Sequence, residues 1–540
     1  MMAISNIIPL FVAISLLGAF IISIIGKRLK WLPDLMGSLT TLVLLGLSFI
    51  AVGIVAKQGT LVYSIGGWKL PIGIVLVLDG FTVFMLVTVN LIAFFISIYS
   101  ISYMNRFTSK WKFYTLFLLM MAGMNGVVVT GDIFNLFVFL EIASVASYAL
   151  VAFGTERHEL EAAFKYTVMS TVGSLFILLG IVFLYSYTST LNMADMANVL
   201  AQKGMSNIVI MVSILFIMGF GLKAALVPFH AWLPDAHPSA PASISAMLSG
   251  VLIKSLGIYT LCRFFYNIIG INSSFQLCYR KTYIMYTGVL IKSLGIYTLC
   301  RFFYNIIGIN SSFSSILMIL GTLSMVIGVF LAIGQWDFKR LLAYHSISQV
   351  GYVILGIGLG TPLGIMGGLF HLFNHSVFKS LLFLNSGAVE YATGTRDLKK
   401  MGGLITKMPI TGVTTLVASM SIAGIPPFNG FWSKLIIIIA AVQANRLGYA
   451  FWAVLASILT LASFTKVMKY AFFGEPRKRW SEVKEVPFFM KITMAILALI
   501  CVVGGVLLIS NINEVFLKPA SDVLLEGTKY AADIIFKGIQ

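Results

Sequence analysis

GDIFNLFVFLEIASVASYALV, residues 131–151, is the stretch from which the rest of the chain is read. From Ile133 to Val151 it is apolar and long enough to cross a bilayer, for which about 20 such residues suffice. One carboxylate interrupts it. Glu141 lies nine residues past Asp132, so about 13 Å along a helix and near mid-span. A charge at the bilayer centre costs at least about 2.5–3.5 kcal/mol on insertion scales. A short carboxylate cannot reach the interface as a lysine can. The default reason for keeping such a group is a water-lined ion pathway.

The whole chain shares this character. Of its 540 residues 59% are hydrophobic and 10% charged, against about 25% charged in soluble domains; mean hydropathy is +0.97. Apolar runs fall near 5–26, 36–56, 74–101, 113–130, 132–153, 164–187, 207–229, 242–266, 313–334, 341–360, 363–388, 410–440, 447–473 and 489–511. The predicted fold class is therefore an all-α polytopic membrane protein with about 14 transmembrane helices. No soluble catalytic domain is left over. The run Ile7–Ile25 is too long for a signal-peptide core and lacks a basic leader, so it is read as a retained first span. Gly59, Gly66, Gly67 and Pro71 mark 57–73 as an external turn or hairpin. Beyond Asn511, charges alternate with apolar residues at helical spacing, which predicts a surface amphipathic helix and a docking element.

The net charge of +18 does not point to nucleic acid, because the basic residues sit in short loops between apolar runs. With the N-terminus outside and fourteen spans, the inside loops hold the clusters around Lys27, Arg106, Arg157, Lys339, Arg396 and Arg477. Outside, leaving the duplicated region aside, remain only Lys57, Lys69, Lys203 and Arg446. That duplicated region is unusual: Gly250–Phe275 and Gly288–Phe313 are identical residue for residue. A fifteenth span there would move the last three basic clusters outside, so 276–313 is expected to be non-spanning or spurious. Cys262, Cys278, Cys300 and Cys501 form no C-x-x-C pair, and no cofactor or metal site is indicated.

Further ionisable groups interrupt the spans. Lys223, Lys254 and Lys434 lie in separate apolar runs, and His371, His375 and Lys379 follow one another at i, i+4, i+8 on one helical face. Two spans are broken by proline: the seventh at Pro228 and Pro234, the twelfth at Pro426 and Pro427. Both breaks carry a Pro-Phe-…-Trp text, PFHAW and PFNGFW. Proline frees a carbonyl, and broken helices in corresponding places of two halves point to inverted repeats around a mid-membrane ion site. Desolvation makes a lysine release its proton more readily, while a nearby carboxylate holds it charged. A Glu141–Lys223 pair would thus couple to a line of Lys and His groups passing protons through water. His345 is a relay or an interfacial group. His230 and His237 flank the first break and are read as stabilising its frayed ends.

FNLFVFLEIASVASYALV (134–151), LKAALVPFHAWLPDAHPSAPASISAMLSGVLIK (222–254), FKRLLAYHSISQVGY (338–352), FNHSVFKSLLFL (373–384) and SIAGIPPFNGFWSK (421–434) resemble the antiporter-like subunits of respiratory complex I. The likeness is greatest to the D subunit of Mrp-type multisubunit sodium/proton antiporters and to the similar subunit of archaeal membrane-bound hydrogenase and sulfur-reductase complexes, and it covers about residues 75–475. The resemblance implies fourteen spans, two inverted five-helix repeats, broken helices 7 and 12, and a polar axis in the membrane plane. It implies Glu141 paired with Lys223, Lys254 as bridging lysine, His375 and Lys379 on the eleventh span, and Lys434 as terminal lysine. The duplication departs from the family and leaves Lys292 as a rival of Lys254. The corresponding division is 1–110 for spans 1–3, 111–275 for the first repeat, 276–313 for the duplicated segment, 314–475 for the second repeat, and 476–540 for the last span and tail.

The expected function is proton or sodium/proton translocation as one component of a multisubunit complex in the cell membrane, with other membrane subunits and the lipid bilayer as partners, H⁺ and in addition Na⁺ as candidate ions, and no nucleic acid. The alternative is an autonomous secondary antiporter. A redox subunit holding quinone or haem has no support in the motifs, so any enzymatic role belongs to partners.

Overall fold

The structure, a computed structural model, describes residues 5–270 and 313–539 apart from 69, 71, 72, 108, 205 and 528. The duplicated stretch, with Lys292, Cys278 and Cys300, lies outside the described residues except for Phe313 at its end. The order is α1 (Leu10–Ile25), α2 (Leu32–Gln58), β1 (Leu61–Ser64), β2 (Val75–Leu78), α3 (Gly80–Tyr103), α4 (Lys110–Val129), α5 (Ile133–Val151), α6 (Arg157–Thr188), α7 (Met193–Lys203), α8 (Asn207–Lys223) and α9 (Leu233–Ser239). It continues with α10 (Ala242–Ile268), α11 (Phe313–Ile333), α12 (Phe338–Gly358), α13 (Pro362–Thr393), α14 (Pro409–Ala423), α15 (Asn429–Gln443), α16 (Leu447–Phe473), α17 (Phe488–Val503), α18 (Ser510–Glu526) and α19 (Lys529–Ile539).

Among the described residues, 10 helices are long and apolar enough to cross a membrane, and α1, α8, α14 and α15 are shorter apolar helices. The chain is a helical polytopic membrane protein. Polar caps set where its spans begin. The Asp79 carboxylate accepts from Thr82 N at 2.8 Å, Asp132 from Asn135 N at 2.7 Å and Asp337 from Arg340 N at 2.9 Å. Each satisfies a donor that helix geometry leaves free.

The core runs through α3, α10, α12 and α13, which are buried along most of their length. Around it α1, α2, α6, α16 and α17 turn Phe20, Phe49, Phe164, Leu175, Phe451 and Leu499 outward. In lipid, helices gain little by hiding apolar surface from each other, so close packing through small residues matters more. The contact of α11 with α12 shows this. A Cβ on Gly351 would lie 2.4 Å from Met325 N, and one on Gly321 would lie 2.7 Å from Leu355 N.

A local device occurs twice. Asp132 bridges Asn192, and Asp337 bridges Asp397, each partner lying 205 residues after its counterpart. In both places the preceding helix ends on a left-handed residue, Ser189 (φ 60°) or Gly394 (φ 68°), between two threonines. Thr188 Oγ1 donates to Thr190 O at 3.3 Å, and Thr393 Oγ1 to Thr395 O at 3.2 Å. The main chain then locks on: Ile133 N donates to Leu191 O at 2.9 Å, and Phe338 N to Arg396 O at 3.0 Å. The texts TSTLN and TGTRD carry this signal, and the sequence reading missed it.

Two expectations shift in detail. The 57–73 turn is the β1–β2 hairpin, paired Leu61↔Leu78 through Ser64↔Val75. Its second strand takes the first residues of the run assigned to span three, because Asp79 starts the helix only at Gly80. The C-terminal tail is amphipathic as expected but does not lie free on the surface. Helix α18 buries Leu517, Ala520, Val523 and Leu524, and its Phe516 ring lies 5.2 Å from Phe84 of α3 and 5.7 Å from Phe373 of α13. That part of its apolar side is covered by its own chain, while Ile512, Val515 and, in α19, Phe536 remain exposed.

Candidate functional site

Helix α5 carries Glu141 to within 3.6 Å of the Lys223 ammonium. Lys223 is the last residue of α8, where unpaired carbonyls and the helix dipole favour a cation. Its Nζ donates to Ser144 Oγ at 3.0 Å and Ser170 Oγ at 2.6 Å, while the Ser174 hydroxyl donates to Glu141. These serines were not singled out in the sequence, although Ser144 follows Glu141 by three residues and Ser174 follows Ser170 by four. The pair is asymmetric: the Lys223 side chain is 2% exposed and that of Glu141 32%.

At both proline breaks a carbonyl near the end of the preceding half-helix takes a side-chain donor, with different partners. At the first, Trp232 Nε1 donates to Leu222 O at 3.0 Å, and Pro228 is exposed. At the second, past Pro426 and Pro427, Lys434 Nζ donates back to Ile422 O at 2.7 Å and to Ser457 Oγ at 3.2 Å, 4.7 Å from the Tyr352 ring. Lys223 precedes its break in sequence and Lys434 follows its own. In space each ammonium nevertheless sits at the carboxyl end of the half-helix before the break. Gly424 (φ 80°) makes room: a Cβ there would lie 3.0 Å from Lys434 Cδ.

Lys254 stands between the two breaks. Helix α10 is wound in π-turns at Leu248–Leu252 and Lys254–Tyr259, a departure frequent at functional sites. Lys254 Nζ donates to Ser249 O at 2.9 Å and also to Gly250 O. One turn away, Gly257 abuts Ala224 beside Lys223; on the other side, Gly250 faces Ser380 beside Lys379. From there α13 continues the line. Lys379 and His375 are fully buried, and neither makes a hydrogen bond among the described residues. Buried polar groups are nearly always hydrogen-bonded, so each such exception needs an explanation. His375 and His371 stack at 6.3 Å. His371 bonds Ser433 Oγ at 2.9 Å, next to Lys434, and Gln349 Oε1 at 3.2 Å.

Of the six predicted groups, Glu141 and Lys223 pair directly, and Lys254, Lys379, His375 and Lys434 are buried on α10, α13 and α15, with His371 stacked on His375 and bonded beside Lys434. His345 is buried against α16, with Nε2 2.8 Å from Ser463 Oγ; the interfacial reading is not supported. His230 is only half-buried at the first break. His237 is fully buried, and neither of its ring nitrogens is bonded among the described residues, so it stabilises no helix end through its side chain. Sequence reading also missed a buried pair: Arg263 donates to both Asp79 oxygens, at 2.8 and 2.6 Å. Its signal was available, since Arg263 interrupts the apolar run 242–266 as the lysines interrupt theirs. Cys262 and Cys501 are buried free thiols.

The chain matches the family described as NADH:quinone oxidoreductase/Mrp antiporter, transmembrane part, over residues 130–289 and 276–460. Residues 63–114 match the N-terminus of chain 5 of NADH-ubiquinone oxidoreductase, complex I. It is 34% identical to the D subunit of the Na(+)/H(+) antiporter of Alkalihalophilus pseudofirmus, over 78% of each chain. To the N subunit of the NADH-quinone oxidoreductase of Desulforudis audaxviator it is 33% identical, over 87% of this chain and 89% of that one. A chain in the structure of the Mrp complex from Dietzia sp. superposes with TM-score 0.84 at 25% identity, covering 99% of this chain and 100% of that one. One in the membrane-bound sulfane sulfur reductase, an archaeal respiratory membrane complex, gives 0.83 at 29%, covering 98% and 99%. The chain belongs to the NADH:quinone oxidoreductase/Mrp antiporter family of transmembrane proteins.

Proposed function

We propose that the chain is the ion-translocating, antiporter-like subunit of a multisubunit membrane complex. Protons move along Glu141, Lys223, Lys254, Lys379, His375, His371 and Lys434. The observation that carries this is the set of four buried lysines, one of them paired with a carboxylate, inside a helical membrane protein. A desolvated ammonium needs a counter-charge to stay protonated. While Glu141 faces Lys223 the proton is held; when the pair loosens, it is released toward Lys254 and the next group. The relatives and structural neighbours named above support the complex as setting, with other membrane subunits as partners. They also support H⁺, and Na⁺ as a candidate counter-ion, in a multi-pass protein of the cell membrane.

The 10 long apolar helices, the 32-residue α13, the short α1 and the two broken spans α8 and α14–α15 together support fourteen crossings. The duplicated Asp–Asn/Asp bridge supports two inverted repeats, 111–275 and 314–475, after 1–110 and before 476–540. The segment 276–313 adds no span in this topology. Single cysteines near Arg396 and Arg477 should therefore label from the same side as the Lys27–Lys30 loop. Labelling from the opposite side would mean that the second copy spans the membrane.

The alternative, an autonomous antiporter, differs only in its need for partners. The chain reconstituted alone in proteoliposomes should show no pH-gradient-driven cation exchange, and exchange should return with its complex. Exchange by the isolated chain at the rate of the complex would favour the alternative.

A further inference from the structure

A cavity of about 660 Å³ opens on the face where the basic clusters gather. Arg106, Glu159, Pro238, Ala240, Lys339 and Glu390 are among its walls. Its carboxylate Glu390 pairs with Lys339 at 2.9 Å and with Arg396 at 3.7 Å. The line described above stops short of it. Lys379 and Glu390 lie on the same helix, eleven residues and so about 16 Å apart. On that face of α13 they are separated by Phe383 and Gly387, neither of which can carry a proton.

His237 occupies this gap. The His237 imidazole and the Phe383 ring lie 4.9 Å apart, and the Lys379 ammonium is 5.5 Å from that Phe383 ring. It is fully buried, with both ring nitrogens unbonded among the described residues. A histidine so placed is a poor packing residue, since an unpartnered buried polar atom keeps its desolvation cost. The next residue, Pro238, is already cavity wall. Its carbonyl accepts from Arg396, and that of Ala240 accepts from Lys339 Nζ at 3.2 Å. The two cations that pair with Glu390 therefore also hold the strip of chain between cavity and imidazole. Charges acting on His237 come from Lys379 of α13, Lys339 of α12 and Lys254 of α10.

We propose that this cavity is the loading mouth of the line, with Glu390 as its proton-collecting carboxylate and His237 as the carrier between Glu390 and Lys379. The inference rests on the reading of the Glu141–Lys434 line as a proton path. Protonated Glu390 gives its proton, directly or through water, to one ring nitrogen of His237. The other ring nitrogen gives its proton toward the neutral amine of Lys379. Glu390 is left as carboxylate and the imidazole neutral in its other tautomer; rotation of the ring resets it.

The test uses the complete membrane complex in vesicles. His237→Ala should lower proton translocation by about a hundredfold, a general acid–base contribution, and imidazole added on the cavity side should restore much of it. His237→Gln fills the space without relaying protons; it should assemble normally and be as slow, and it decides the matter if the alanine variant fails to assemble. Parental rates in either assembled variant, or a loss in His237→Ala that imidazole leaves untouched, overturn the proposal. Glu141→Gln, measured alongside, separates the two levels. If it is slowed while the His237 variants are parental, only the loading route fails; if it too is parental, the line itself is misread.

Discussion

Glu141→Gln should lower proton translocation by about a hundredfold while leaving the complex assembled at parental yield. The amide has the shape of the carboxylate and can still accept the Ser174 hydroxyl. Only the charge goes. Lys223, 2% exposed, then faces the neutral hydroxyls of Ser144 and Ser170 with no counter-ion at 3.6 Å. Removing one partner of a fully buried pair costs about 3–5 kcal/mol. The Glu141 side chain is 32% exposed, so a smaller coupling of about 2–3 kcal/mol is expected, which at about 1.4 kcal/mol per tenfold gives a loss near a hundredfold. Decay of an imposed pH gradient in vesicles measures it. Parental transport by the assembled variant would show that Glu141 is not part of the path.

How far this was legible in the sequence depended on the kind of signal. Burying charge in lipid is so costly that each lysine and carboxylate inside an apolar run could be marked one by one; of these Glu141 and Lys223 pair, and Lys254, Lys379 and Lys434 are buried. Periodicity placed His371, His375 and Lys379 on one face. What sequence spacing could not give was contact between helices distant in the chain. The approach of Lys434 to Ile422 across its own break depends on Gly424 and on the backbone turning back. The neutral residues were lost for a different reason: Ser144, Ser170 and Ser433 are cheap to bury, so nothing in the sequence flags them. His237 was misread because its position beside a proline break suggested capping, while the fold turns its ring toward Phe383. The tail was legible as an amphipathic helix. What packs against Phe516 was not, because α3 lies more than four hundred residues earlier in the chain.

At the other end of the line, Lys434→Ala should slow translocation by about a hundredfold, the low end of what a positioned proton-transfer group contributes. Its ammonium is held by Ile422 O at 2.7 Å and Ser457 Oγ at 3.2 Å, with no carboxylate paired to it among the described residues. Loss of the side chain removes the last proton stop after His371 and leaves the Ile422 carbonyl without this donor. If partner subunits drive the pump by redox chemistry, their turnover tells how tight the coupling is. Turnover that continues while transport fails means slip; turnover suppressed with transport means obligatory coupling. Lys434→Arg is the sharper experiment. A guanidinium keeps the positive charge and can still donate to Ile422 O, but it does not give up its proton in this range. Its rate should therefore stay well below that of the parent even where assembly and thermal stability are unchanged. Full transport in the arginine variant would mean that Lys434 supplies only a fixed charge, and that protons leave the line at another group.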